Sequence, residues 1–201
     1  MGRLSFSKSS LSKETKQLKT YERFLPSLDL KRKQLMAERS KARSRLAQTQ
    51  KDMEALRQQV GEALPMLANH EVELEDLVRV RQARLGRENV VGTRLPVFEG
   101  VDLEVRDYGL IAKPHWVDRV VLELGRMLEL RLARQVEQRR LELLDTAVRK
   151  VTQRVNLFEK VLIPRSRDNI RRIGIALSDA ERAAVVRAKI AKGKRVREGL
   201  A

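Results

Sequence analysis

The groups in this 201-residue chain most able to act on something outside it are its cations: 43 Lys and Arg stand against 27 Asp and Glu, a formal charge of +16. Such an excess predicts attraction to an acidic partner, whether nucleic acid, anionic lipid or an acidic protein surface. The charge is concentrated at one end. From Arg182 onward, Arg182, Arg187, Lys189, Lys192, Lys194, Arg195 and Arg197 face only Glu198, a net of +6 over twenty residues. Three readings follow: a solvated tail, a docking segment for an acidic protein, and a nucleic-acid patch. Against the last, the basic stretches carry almost no aromatic residues for base stacking, and no basic region leads into a parallel zipper.

Motifs for catalysis are missing. There is no GxxxxGK[ST] loop to cradle nucleotide phosphates and no GxSxG nucleophile setting. His70 and His115 stand without cysteines or carboxylates at ligand spacing and read as ordinary surface or packing histidines. Carboxylates on the helical stretches have Arg or Lys neighbours three or four residues away, the usual solvated helix face. No catalytic, metal or cofactor site is expected. With no cysteine the chain has neither disulfides nor thiol chemistry. The start, MGRLSFSKSSLSKETK, lacks the apolar run of a secretory signal, and runs such as Ala183 to Val186 fall far short of the ~18 residues of a membrane span. The expectation is a soluble, cytoplasmic protein.

The elements that would position these charges are long helices. From Leu141 to Leu162, apolar residues fall at Leu141, Leu144, Val148, Val151, Val155, Phe158 and Leu162, a strict alternation of three and four. That seam lies along one side of a helix and needs a partner helix. A second heptad series, clean from Leu46 onward through Met53, Leu56 and Val60, runs from Leu28 to Leu67. Its earlier half places Arg32 and Arg39 at seam positions, so either the seam drifts there or these side chains lie across it with their charges in solvent. The Ser-rich first ten residues read as a frayed start. Pro26 predicts a kink or break near Phe24, and Pro65 a bend or end. Glu71 to Leu85 reads as helical again through Leu74, Leu77, Val78 and Leu85.

Residues 86–118 differ in kind. They hold four of the ten glycines, two of the five prolines and three of the seven aromatics, with a net charge of −2. Thr93 to Glu99 and Val101 to Arg106 alternate around Gly100, which predicts a hairpin of two short strands, marginal alone and leaning on a helix, on Trp116 or on another subunit. Pro114 predicts a helix start at His115 or Trp116. That helix carries Val117, Val121, Leu124 and Leu128, meets its first proline at Pro164 (a kink or a tolerated bend), and continues through Ile170, Ile173 and Ile175. Gly174 predicts a stop, and Ser178 to Glu181 a capping box for a new start. The fold predicted is mainly α: a long antiparallel two-helix coiled coil with a small central knob containing a short β-hairpin. Its parts are an N-terminal helix region over 1–85, the knob over 86–118, and a C-terminal helix with basic tail over 119–201.

Three segments resemble one family. NVVGTRLPVFE from Asn89 to Glu99, RVNLFEKVLIPR from Arg154 to Arg165, and LKRKQLM from Leu30 to Met36 are similar to signature stretches of the D subunit of the V-type (A-type) rotary ATPases. The order helix, knob, long helix, basic tail matches over nearly the whole chain. Pro26 in its RFLPSL setting departs from the form of many members and leaves the path of the first helix open. The resemblance implies a non-catalytic central rotor shaft, peripheral to the membrane. The paired terminal helices would enter a hexamer of catalytic A and non-catalytic B subunits, the middle would bind the small F subunit of the rotor, and the lower end would rest on the subunit that caps the membrane ring. Leu46, Met53, Leu56 and Val60 with the Leu141 to Leu162 seam would hold the shaft together. Leu95, Val97, Phe98 and Leu103 would offer partner-facing surface, and Lys189, Lys192, Lys194, Arg195 and Arg197 would lie at the tip. A basic coiled coil that binds nucleic acid is the alternative.

Overall fold

The computed structural model describes residues 4–68, 77–106, 116–197 and 199, with residues 67, 68 and 197 by backbone alone. In chain order these form helix α1 (Lys8–Ala63), a 3-10 turn (Pro65–Ala68), strands β1 (Val78–Val90) and β2 (Thr93–Val105), helix α2 (Trp116–Leu157), a π turn (Phe158–Leu162) and helix α3 (Ile163–Arg197). Long helices on either side of one antiparallel hairpin make the fold mainly α. Two compact units are distinguished, a terminal one (Met1–Leu30 with Val151–Ala201) and a central one (Lys31–Lys150).

In the terminal unit α1 begins earlier than its composition suggests. Ser7 is its N-cap: its Oγ accepts from the Ser10 N–H at 3.2 Å, and its carbonyl accepts from the Leu11 N–H at 3.0 Å. From Ser7 the stretch read as frayed is therefore a capped turn, while residues 1–3 lie outside the described residues. Pro26 lies inside α1, and the expected break is absent. The proline leaves the Glu22 carbonyl without its usual donor, but this part of the helix is exposed, so solvent can satisfy it.

Contacts between α1 and the C-terminal helices of this unit run antiparallel. Tyr21 meets Phe158 edge to face at 5.3 Å, Glu22 accepts from Arg167 at 2.8 Å, Glu14 accepts from Asn169 at 3.3 Å, and Lys8 pairs with Glu181 at 3.3 Å. Neither Gly174 nor the Ser178 motif interrupts α3. Buried Ile173 anchors the turn beside Gly174, and this packing overrides the local stop signal. Ile175, expected on the apolar side, is exposed.

The central unit pairs the rest of α1 with most of α2. α1 buries Leu35, Ala42, Leu46, Met53 and Leu56, and α2 buries Val117, Val120, Val121, Leu144 and Val148. Arg39 reaches Asp145 at 3.5 Å, while Val60 and Leu64 share a groove with Arg119 and Glu123, so here too the helices are antiparallel. Arg39 is thus half-buried at its seam position with its charge paired. α1 ends at Ala63, just before Pro65, as a missing N–H dictates.

The hairpin is longer than its sequence suggests. The stretch read as helix up to Leu85 is strand from Val78, and 71–76 lie outside the described residues. Val91 and Gly92, at φ 51° and 78°, form the two-residue turn, which needs positive φ at both centres. Gly100 is not the turn. It sits inside β2 at φ 149° beside a bulge at Glu99, while a second bulge at Arg81 in β1 restores the register. The alternation around Gly100 is that of one bulged strand.

Candidate interaction surfaces

β2 lies along α2, and the two are matched in pitch. Leu103 sits against Gly125, its Cδ1 3.1 Å from where a Cβ would stand. Further along, Arg140 of α2 donates to Glu88 Oε2 at 2.6 Å and to the Pro96 carbonyl at 3.4 Å. From Gly125 to Arg140 an α-helix rises about 22 Å. Seven strand residues from Leu103 back to Pro96 cover about 23 Å. At the turn, Lys31 Nζ lies 3.5 Å from where a Cβ on Gly92 would be. At the open end, Leu77, Val117 and Val121 form a small core with Val78 and Trp116 against it, and the Arg106 N–H donates to the Leu77 carbonyl at 3.0 Å.

Arg140 is the centre of this arrangement, its side chain only 4% exposed. A buried guanidinium is costly unless its fork is occupied, and Glu88 with the Pro96 carbonyl occupies it. Its charge is also felt by Glu38 on α1. There the hydrogen bond from Lys41 is the main cause of a carboxyl held below its ordinary 4.5, with the charges of Lys41, Arg140 and Arg45 adding to it against partial desolvation.

The residues singled out from sequence fall as follows. Leu46, Met53 and Leu56 are buried and Val60 is half-buried; Leu144, Val148, Val151 and Val155 are buried; Leu141, Phe158 and Leu162 are half-buried. After the π turn the buried positions are Ile163, Ser166 and Ile173, each one residue beyond the place a strict heptad from Val155 would give. The Ile163 N–H bonds to the Phe158 carbonyl, five residues back. That wider turn inserts one residue just before Pro164, which cannot donate to Lys160.

Leu95, expected to face a partner, is 1% exposed and belongs to the interior of the central unit. Val97, Phe98 and Leu103 are half-buried. Lys189, Lys192, Lys194 and Arg195 are exposed on α3, which also exposes Val185, Val186, Ile190 and Val196 and ends at Arg197.

Three features escaped sequence reasoning: Arg140, Gly125, and the arginines of β1. The period-two run VRVR from Val78 is the signal that could have revealed the strand.

Among known families, that of the ATP synthase D subunit matches residues 10–193 of this chain. The chain belongs to the ATP synthase D-subunit family. The D subunit of the V-type ATP synthase of Borreliella burgdorferi is 30% identical over 198 residues, covering 98% of both chains. Those of Chlamydia muridarum and Chlamydia pneumoniae are 29% and 28% identical over 196 residues, covering 95% of this chain and 95% and 92% of theirs. As a member of the D-subunit family the chain is a component of an ATP synthase complex of the V-type. Among the described residues no helix is long and apolar enough to cross a membrane.

Proposed function

We propose that this D-family protein is the non-catalytic central rotor shaft of a V-type ATPase or ATP synthase, coupling ATP hydrolysis or synthesis in a catalytic hexamer to ion translocation by rotation. The observation that carries the reading is the antiparallel helix pairing found in each unit of a chain from the D-subunit family. Two helices that bury a common seam resist bending and twisting better than one, and a rotor must deliver torque without storing it. Leu46, Met53, Leu56 and Val60, with Leu141, Leu144, Val148, Val151, Val155, Phe158 and Leu162, would supply that stiffness. Coupling is conformational, because a shaft selects which catalytic site closes by turning a different face to each.

In this reading the terminal helices enter the hexamer of A and B subunits, and Lys189, Lys192, Lys194, Arg195 and Arg197 steer contacts near the tip. The knob around 86–118, with Val97, Phe98 and Leu103, contributes surface to the small F subunit of the rotor. The opposite end rests on the cap of the membrane ring, which keeps the protein peripheral and cytoplasmic. The nucleic-acid alternative draws no support from the relatives.

Val151→Asp or Phe158→Asp places a carboxylate in the seam of the terminal unit. Both should lower ion pumping per ATP hydrolysed in reconstituted complexes while the other subunits still assemble. Full coupling with normal assembly in both variants would refute the shaft.

A further inference from the structure

The two free edges of the hairpin are treated differently. On β2 the outer edge is interrupted: Pro96 has no N–H to offer, and its carbonyl is taken by Arg140. On β1 the outer edge is open, since among the described residues the sheet has two strands only and most of β1 is exposed. That edge is also polarised. β1 carries Arg79, Arg81, Arg84 and Arg87 against Glu88, a net of +3, while β2 carries Arg94 against Glu99, Asp102 and Glu104, a net of −2. Arg79 lies opposite Glu104, and Arg84 pairs with Asp102 at 3.5 Å. Arg81, the bulge residue, and Arg87, opposite Pro96, have no carboxylate across the ladder, and Glu88 is turned to Arg140. Val80 and Leu85 add apolar area between them, 42% and 58% exposed.

We infer that the open edge of β1 takes up an extended acidic segment of a neighbouring subunit as a third strand, its carboxylates meeting Arg81 and Arg87 and its apolar side chains covering Val80 and Leu85. An unpaired strand edge supplies backbone donors and acceptors at fixed spacing, and the side chains beside it choose the partner. The chemistry selects Asp or Glu alternating with aliphatic residues. This rests on the chain's membership in a multisubunit complex, and not on the rotation of that complex.

Hydrogen exchange at single-amide resolution, on the full chain alone and in the purified ATPase, tests it. In the free chain the β1 amides bonded to β2 exchange slowly and those facing outward exchange fast. Assembly should slow the outward set at least tenfold. An Arg81→Glu/Arg87→Glu chain, with unchanged helicity and unchanged exchange at the β2-bonded amides, should lose that protection at its open edge.

Equal exchange of the outward amides in free and assembled protein would overturn the inference and leave the arginines as guards against unwanted pairing. So would protection that survives the double charge reversal. Salt-sensitive binding of a single-stranded oligonucleotide by the free chain, abolished by the same reversal, would assign the edge to nucleic acid instead. Failure of the shaft is distinguishable, because it appears as lost coupling with β1 protected.

Discussion

The terminal and central units both pair α1 with the C-terminal helices, yet they tolerate irregularity by different means. In the terminal unit, Pro26 and Pro164 sit within long helices, a π turn shifts the seam by one residue, and polar pairs such as Glu22 with Arg167 and Glu14 with Asn169 tie the exposed flanks. In the central unit α1 keeps its heptad through Leu35, Ala42, Leu46, Met53 and Leu56, and the burden falls on a buried charge and a missing side chain in α2, Arg140 and Gly125, which admit a β-hairpin alongside. Helix pairs therefore absorb a sequence defect either by rephasing the backbone or by dedicating side chains to a third element. The first route costs local hydrogen bonding, and the second makes stability depend on single residues.

The contrast is broken most severely by inserting one alanine after Lys160. With a second extra residue that the π turn does not absorb, Ile163 and Ile173 rotate about 100° off the seam. Losing the burial of two isoleucines should destabilise the chain by about 4 kcal/mol, read from urea unfolding followed by helicity. An equal stability in the insertion variant would mean that the π turn does not set the phase.

Removing a dedicated side chain is the next largest change. Arg140→Ala should cost about 2 kcal/mol, since Glu88 is half-exposed and can be resolvated while the guanidinium's hydrogen bonds and packing are lost. Hydrogen exchange should then rise across β1 and β2 while remaining as before around Tyr21 and Phe158. A uniform rise throughout the chain would erase the distinction between the units.

The smallest effect concerns Glu38. Its carboxyl is held below the ordinary 4.5, so its stabilising contribution is complete above that pH and is lost as pH falls through the lower folded value. Wild type should exceed Glu38→Gln in stability at pH 6, and the gap should narrow progressively as the pH is taken below 4.5. A gap that widens on acidification would reverse the assigned sign.

How much of this was legible in the sequence depends on which interactions are local. The seam from Leu144 to Val155 is written in residue types at fixed spacing, and buried positions follow it closely. The shift after Val155 is not, because a π turn leaves no trace in periodicity until Ile163, Ser166 and Ile173 are seen to share one side. Gly174 and Pro26 are stop signals overruled by packing and by exposure, both tertiary matters. The start of β1 was obscured because Leu74, Leu77, Val78 and Leu85 also fit a helical period, and the bulge at Arg81 broke the alternation that would have argued for a strand. Arg140 was invisible for a simpler reason. Among 43 cations nothing local marks the one whose partners, Glu88 and Pro96, lie some fifty residues earlier.

Pro96 sets a limit on self-association. A hairpin with two open sides can stack without end, each copy templating the next. With β2 interrupted at Pro96, two copies meeting through β1 would complete a four-stranded sheet with a proline in each outer border, a break that works against growth into a fibre.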